Sequence, residues 1–461
     1  MSQDLLNEKL YERFIRPTER PRTRKLGLEF EFPILNKEPQ PVDFSVVHRM
    51  SDDFVSTFSF TNEQRDDDGF LYCAEHGPTG DTFSFDCSYN TLEFSLGAEE
   101  DIDALEVRFA RYYRYVQETL GESGHTITGL GINPRHGVNE NVPIVNERYR
   151  MLFHHLCSYE HYGNEIPFHS HPNFGLFSCA SQVQLDVEKE MLVETLNTFT
   201  LLEPLKALLF ANSIWTEDRN DFLCSRDYFW RNSLHGLNRH NVDMYGLSFE
   251  SVDEVLLYIR SMSLYCVMRD GRYVNFPPMP LSEYFAADEV RGEVFRDGLY
   301  HTITVHPELS DIQYLRSFKF EDLTFRGTVE FRSVCEQPVR EAMASGAFHA
   351  GLMENLHSLT YCLENDHTIY HKGYNASELR RQFVQRDLPD LYDRKDLSRL
   401  LTEVLDIAAD GLRIRSRGEE KYLSPLYERA ETLTSPARTM MEGLGSGKSI
   451  DDYINDYGVY E

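Results

Sequence analysis

The sequence predicts an α+β fold, on three observations. Four separated segments alternate apolar and polar residues at the two-residue period of a strand. Several longer stretches space their apolar residues for one face of a helix. Beyond about residue 340 only the helical pattern remains.

Residues 2–16 read as a short helix. The first strand lies in 25–34, where Leu26, Leu28, Phe30 and Phe32 alternate with Gly27, Glu29 and Glu31, so both carboxylates face one way. In 89–97, Leu92, Phe94 and Leu96 alternate with Glu93, Ser95 and Gly97, and Asp86 stands seven residues before Glu93 across a bend. A helix follows over 101–119, its buried face predicted from Leu105, Val107, Phe109 and the tyrosines at 112, 113 and 115. The third strand, 179–187, sets Gln182, Gln184 and Asp186 opposite Val183 and Leu185, and the helix after it, 191–212, spaces Leu192, Leu196, Phe199 and Leu202 for a core. The fourth strand, 327–333, puts Glu330 and Arg332 on one face; helices then fill 340–364 and 396–417. No internal repeat or low-complexity linker breaks the chain, which reads as one unit over 1–461 with a mainly helical C-terminal region from about 340.

Carboxylates brought close together raise each other's pKa, so several that converge need a cation to stay ionised. Oxygen ligands favour magnesium over zinc, and magnesium held by a few carboxylates, with water and phosphate oxygens completing its shell, is the usual arrangement where ATP is cleaved. The candidate ligands are Glu29, Glu31, Asp86, Glu93, Gln182 and Glu330. Arg332, displayed beside Glu330, supplies the positive charge that phosphoryl transfer requires, which makes Glu330 and Arg332 the catalytic candidates. The plainer reading is a set of strands with solvated acidic faces, and a same-face ion pair between Glu330 and Arg332 worth little. Large apolar residues on the opposite face of every segment favour the shared site.

A chain of 461 residues with 41% hydrophobic content can bury an ample core. Its formal charge of −29 argues against a nucleic-acid partner, since phosphate backbones select basic patches. The eight cysteines form no Cys-x-x-Cys pair, so reduced, buried thiols in a cytoplasmic protein are expected, although the even count leaves a disulfide open. The amino terminus is acidic and amphipathic, unlike a signal peptide, and no stretch reaches the ~20 apolar residues of a membrane span.

Three motifs invite over-reading. Gly443-Leu-Gly-Ser-Gly-Lys-Ser resembles a phosphate loop, but it has Glu442 where that motif has its first glycine and no apolar strand before it, so Ser449 is expected to cap a helix from Ile450. His169-Ser-His171 has no Cys or His partner at zinc-finger spacing and reads as a surface or supporting pair. Gly129-Leu-Gly-Ile-Asn-Pro lacks the third glycine of a dinucleotide fingerprint and reads as a tight turn closing a strand.

In order and spacing the acidic segments resemble the glutamate-cysteine ligase (γ-glutamylcysteine synthetase) family. Its Gly-x-Glu-x-Glu strand is matched by Gly27-Leu-Glu-Phe-Glu, its Asp followed seven residues later by Glu by Asp86 and Glu93, and its late Glu-x-Arg by Glu330 and Arg332. The likeness is nearest to the plant and proteobacterial type, through Gly129-Leu-Gly-Ile-Asn-Pro-Arg, Leu209-Phe-Ala-Asn-Ser, Ser225-Arg226 with Trp230, Cys266-Val-Met-Arg-Asp-Gly-Arg-Tyr-Val, Asp406-Ile-Ala-Ala-Asp-Gly-Leu and Thr434-Ser-Pro-Ala-Arg. Two departures stand out: Ser333-Val-Cys-Glu-Gln-Pro replaces a Gly-rich segment after the Glu-x-Arg, and Gln184 replaces an Asn.

The resemblance implies a curved, mainly antiparallel sheet forming a glutamine-synthetase-like funnel surrounded by helices, within a single catalytic domain. It implies ATP and Mg2+, transfer of the γ-phosphate to the side-chain carboxylate of L-glutamate, and attack on the acyl phosphate by the amine of L-cysteine, the first step of glutathione synthesis. Arg226 becomes the candidate anchor for glutamate, with a structural ion pair as the alternative, and Tyr265 lines the same pocket or is a core tyrosine. Three other readings stay open: ligation to a different amine, phosphorylation without ligation, and a non-catalytic member of the fold.

Overall fold

The computed structural model describes residues 3–162, 166–215, 222–246 and 248–460. Its first strands are β1 (Leu26–Asn36), β2 (Thr61–Arg65), β3 (Leu71–His76), β4 (Asp81–Phe85) and β5 (Thr91–Glu99). Then come β6 (His125–Ile127), β7 (Ser181–Asp186), β8 (Val242–Asp243), β9 (Ser263–Arg269), β10 (Arg272–Pro280), β11 (Val290–Arg296) and β12 (Leu299–Val305). The last among the described residues are β13 (Phe318–Lys319), β14 (Glu321–Leu323) and β15 (Thr328–Phe331).

Nine of these form one sheet in the order β14-β15-β7-β1-β5-β4-β3-β2, with β6 pairing the far end of β1. Its ladders are antiparallel throughout. A second antiparallel sheet runs β12-β11-β10-β9, and β8 and β13 make a short parallel pair. With the helices this gives the α+β class that the alternation predicted and the mainly antiparallel sheet that the resemblance implied. The main sheet adds strands 61–85, and the whole second sheet comes from a region where no strand was expected.

The apolar face of β1 explains why the sheet forms where it does. Leu26, Leu28, Phe30 and Phe32 are fully buried, and helices Ile102–Glu122 and Met343–Glu354 lie against them. Phe30 packs on Phe109 with ring centroids 4.7 Å apart, and Phe32 meets Tyr113 at 5.3 Å. Helix Phe44–Phe58 covers the neighbouring strands, Phe54 stacking on Phe83 at 4.4 Å. Each such ring contributes on the order of 2 kcal/mol by burial alone, so the rings hold in place the strand that carries Glu29 and Glu31. Gly346 permits the close approach of its helix, since a Cβ there would lie 2.9 Å from Leu28 Cδ2.

The helices largely follow their periodicity. The first begins at Gln3, and Ser2 lies outside the described residues. Leu192, Leu196, Phe199 and Leu202 are all buried in helix Lys189–Phe210. The stretch 340–364 splits at Asn355 into Met343–Glu354 and Leu356–Glu364, and Arg394–Arg415 follows. One position is corrected: Val107 is 69% exposed. It lies two residues, about 200°, from both Leu105 and Phe109, so it sits off the buried stripe they define.

Ser449 caps helix Ile450–Tyr457, its side chain accepting from Asp452 N–H, as expected. The Gly129 segment closes β6 with the expected tight turn, Leu130 N–H donating to the Thr128 carbonyl at 3.1 Å. It is no positive-φ turn; a Cβ at Gly129 would lie 2.0 Å from the Gln337 carbonyl oxygen, so glycine serves close backbone approach. His169 is buried rather than on the surface, its Nε2 3.1 Å from the Phe229 carbonyl and its pKa pushed down to about 4 by burial. All eight cysteines are free, six of them buried. Among the described residues no helix is long and apolar enough to cross a membrane.

Candidate active site

Register brings the predicted residues onto one face of the main sheet. Glu31 pairs with Glu93 across β1 and β5. Glu29 pairs with Ser95 on one side and Gln182 on the other. Gln184 lies opposite Gly27 and Glu330, and Glu330 lies opposite Asp322. Because side chains alternate across a strand, these partners project to the same side. Asp86 joins them from the turn after β4, where its N–H donates to the Thr91 carbonyl at 3.2 Å and Cys87 adopts φ 62°.

Two amides contact the acids, one of them bridging a pair. Gln182 Nε2 donates to Glu31 Oε1 at 2.8 Å, and the other oxygen of Glu31 accepts from Ala180 N–H at 2.7 Å. Gln184 Nε2 bridges Glu29 and Glu330, at 2.6 and 2.8 Å, while its carbonyl oxygen accepts from Arg326 at 2.7 Å. This polarity is dictated by chemistry: the NH2 end faces two acceptors and the oxygen faces a guanidinium. Burial, and then neighbouring carboxylates, push Glu29, Glu31 and Glu93 each up to about 8; the neighbours are Glu330 for Glu29 and Asp86 for the other two. Burial and Glu330 likewise raise Asp322 to about 7.

Arg332 Nη1 donates to Glu330 Oε2 at 2.6 Å. Glu330 is only 7% exposed and Arg332 is part-buried, so the pair is partly withdrawn from water and not the solvated one of the plainer reading. Arg226 is also buried but forms no carboxylate ion pair among the described residues. Its Nη1 donates to the Val334 carbonyl at 3.3 Å, its Nη2 lies 3.5 Å from the Arg332 carbonyl, and its Nε has no partner. Tyr265 stands back from the site, stacked on His155 at 4.3 Å within a small cluster with Met151 and Cys266.

Two cavities open along the acidic row. The larger, about 480 Å³, is lined by Glu29, Gln184 and Asp186 and rimmed by Arg20, Lys25 and Arg326. The smaller, about 130 Å³, holds Glu31, Asp86, Gln182, Arg226 and Arg332, with Arg148, Trp230 and His235 on its walls. Glu29 and Glu31, two residues apart on β1, open into different cavities. Sequence reasoning missed Asp322, Arg148, Arg326 and His235, and assigned no role at the site to Gln184 or Trp230. Asp322 lies on a three-residue strand too short for periodicity, and Arg148 lies on a helix whose exposed side opens into a cavity.

The donor set suits a hard divalent cation. The buried Gln182 Oε1 is an acceptor with no donor, and it shares the smaller cavity with Glu31 and Asp86. Among the described residues no three His, Cys, Asp or Glu side chains are gathered tightly enough to hold one ion.

The profile described as "Glutamate-cysteine ligase family 2 (GCS2)" matches residues 25–456. The chain belongs to this family. Similar proteins include the chloroplastic glutamate–cysteine ligases of Arabidopsis thaliana, 24% identical, and Solanum lycopersicum, 23% identical. Both alignments run over 353 residues, 74% of this chain and 62% of the relative. The chain thus spans about three fifths of the length of the curated relatives it matches. Among solved structures, glutamate–cysteine ligase of Francisella tularensis in complex with AMP superimposes with a TM-score of 0.46 at 12% identity, over 94% of this chain and 87% of that one. Membership in glutamate-cysteine ligase family 2 agrees with the ordered motifs around Glu29, Glu31, Asp86, Glu93, Glu330 and Arg332.

Proposed function

We propose that the protein is an ATP-dependent ligase that joins the γ-carboxylate of L-glutamate to the amine of L-cysteine through a γ-glutamyl phosphate, the opening step of glutathione synthesis. The observation that carries this is that two cavities open along one acidic row, with Arg332, in the smaller, paired to Glu330 and within the charge field of Glu29. The larger cavity takes the nucleotide, its triphosphate drawn in by Arg20, Lys25 and Arg326. The smaller takes the amino acids.

A carboxylate is a poor acyl donor because its leaving group would be oxide. Attack of the glutamate γ-carboxylate on the γ-phosphorus forms an O–P bond and releases ADP; Arg332 stabilises charge on the phosphoryl group in flight. The amine then adds to the acyl carbon, a C–N bond forms, and inorganic phosphate departs with the former carboxylate oxygen. Arg226 holds the α-carboxylate of glutamate with the guanidinium edge that the protein leaves unpartnered. Trp230 and His235 wall the pocket and restrict water. Glu29, Glu31, Asp86, Glu93, Gln182 and Glu330 are the residues that would hold Mg2+, whose contribution is to neutralise the triphosphate.

The purified protein, given ATP, Mg2+, glutamate and a panel of amines, is expected to release ADP and γ-glutamylcysteine in equal amounts with cysteine. ADP release without an amide product would sink the ligase reading. Ser333, from the segment that departs from the plant type, lines the smaller cavity and favours one second reading, an acceptor other than cysteine. Eight unpaired thiols suit a reducing compartment such as the cytoplasm.

A further inference from the structure

Helix Ser225–Arg231 separates the smaller cavity from a further one on its other side. Arg226 and Trp230, four residues apart, face the smaller cavity. Cys224, Asp227, Tyr228 and Arg231, at the i, i+3, i+4, i+7 spacing of one helix face, line the other. Asp227 and Phe320 belong to both walls. The further cavity measures about 240 Å³, below the ~300 Å³ at which pockets for drug-sized ligands begin, so its occupant is small.

Its charge runs against that of the chain. In a protein of formal charge −29, Arg231, Arg380 and Arg381 line this cavity, and among the described residues its acids are Asp227 and Asp243. Asp227 is taken up by Arg380, whose Nε and Nη2 donate to its two oxygens at 2.7 and 3.1 Å. Asp243 accepts from Arg231 Nη1 at 2.6 Å. Arg381, on helix Ala376–Phe383, has no carboxylate partner among the described residues; its Nη1 donates to Ser377 Oγ at 2.7 Å, the same oxygen that lies 3.3 Å from Arg231 Nη1. Glu378 is turned to the start of that helix, accepting from Asn375 N–H at 2.9 Å. Arg239 adds another guanidinium, donating to the Arg231 carbonyl. Burial, and then repulsion by Arg231, hold Arg239 and Arg381 below the usual arginine value. Three guanidinium groups thus share one carboxylate, Asp243, and an added anion relieves their repulsion. Much of the remaining wall is apolar, with Phe222 and Tyr228 stacked at 5.4 Å beside Met244 and Val384.

We propose that this cavity is an effector site for a small organic anion, a carboxylate or phosphate on an apolar body, held by Arg231 and Arg381. A guanidinium recognises either head group through two parallel hydrogen bonds, and the apolar wall takes the body. The helix connects the site to the chemistry. An anion competes with Asp243 for Arg231 and so loosens the tie between the end of the helix and β8, while Arg226 stands near the helix start. Occupation therefore weakens glutamate binding. This last effect rests on the ligase reading above; the binding of the anion does not.

The test titrates the full chain with benzoate and phenyl phosphate by calorimetry, with benzamide as the neutral counterpart. At least one of the two anions is expected to bind wild type, the tighter one identifying the head group, and benzamide is expected not to bind. Arg381→Gln, a change at an exposed side chain, should weaken anion binding about 10- to 100-fold, the size of lost hydrogen bonds to a charged group, while Arg332→Ala leaves it unchanged. Equal affinity in wild type and Arg381→Gln would overturn the site, as would loss in Arg332→Ala instead, which places the anion at the acidic row. So would binding of benzamide as tight as that of the anions, or no binding of either anion to wild type, results that need no variant to fold. In turnover, the tighter anion should raise the glutamate KM about 5-fold or more, the low end of ordinary coupling between sites, and Arg381→Gln should abolish that rise. A bound anion that leaves the glutamate KM unchanged would overturn the effector role. Absence of ADP release by wild type would strike the ligase reading alone, since calorimetry still decides the site.

Discussion

Arg332 carries the heaviest demand of any single side chain. It sits on the acidic row, paired with Glu330 and within the charge field of Glu29 and Asp322. Burial opposes its charge, yet the surrounding carboxylates hold its pKa above the usual value. Arg332→Ala is expected to lower kcat about 10³-fold or more, with a native circular dichroism spectrum. Near-wild-type ADP release from that folded variant would remove Arg332 from the phosphoryl path. Gln184 makes the complementary case for a neutral group. Its amide satisfies Glu29 and Glu330 together, and leucine of similar size would leave both without that donor. In EDTA, Gln184→Leu is expected to cost about 1–3 kcal/mol of stability, and Mg2+ should restore more of it than Mg2+ adds to wild type. Melting curves with and without Mg2+ check this; equal Mg2+ increments in the two proteins would show that the bridge is idle.

Among the elements, what was legible in the sequence is the part where one physical cause acts alone. β1, β5, β7 and β15 separate acids from apolar residues on opposite faces, so alternation located them and their functional side at once. β2 could not be found this way, since all five of its residues are exposed at a sheet edge and no face repeats. The β9–β10 and β11–β12 hairpins did carry a signal, the Asp270-Gly271 and Asp297-Gly298 pairs, whose four residues all take positive φ as a tight hairpin turn requires. Arg148 had none, because periodicity marks a helix position as exposed without telling bulk water from a cavity. The Gly129 segment shows a different limit: its glycines answer to a chain segment more than two hundred residues away. A Cβ at Gly129 would collide with the Gln337 carbonyl, so Gly129→Ala is expected to destabilise the fold by about 1–3 kcal/mol or more. A denaturant midpoint equal to wild type would mean that the 335–338 segment yields freely.

At the scale of the whole molecule, the acidic row should make cation binding and stability depend on each other through pH. Glu29, Glu31 and Glu93 have pKa values of about 8 in the cation-free fold, against about 4.3 for an unfolded glutamate. A carboxyl group raised on folding favours the folded state fully below its unfolded pKa, and that advantage is lost as pH rises through the folded value. The cation-free protein should therefore weaken between about pH 6.5 and 8.5 as these groups ionise against one another, whereas a bound cation turns the same ionisation into attraction. Other groups move in this range. His155 and His169, pushed down by burial to about 3 and 4, add stability as pH rises until an unfolded histidine, pKa about 6.5, has lost its proton, so a small part of their effect still accrues just above pH 6.5. Cys335 works in the same direction as these histidines and against the acidic row: burial would raise its pKa, but the Cys224 hydrogen bond and Arg226 bring it to about 6. None of these belongs to the acidic row, so the quantity to read is the gain in melting temperature from Mg2+, measured against EDTA at each pH. That gain is expected to be larger at about pH 8.5 than at about pH 6.5, because only the ionised row repels itself in the absence of a cation. A gain that stays flat or shrinks across this range would mean that the acids on β1 and β5 do not share one cation-binding space.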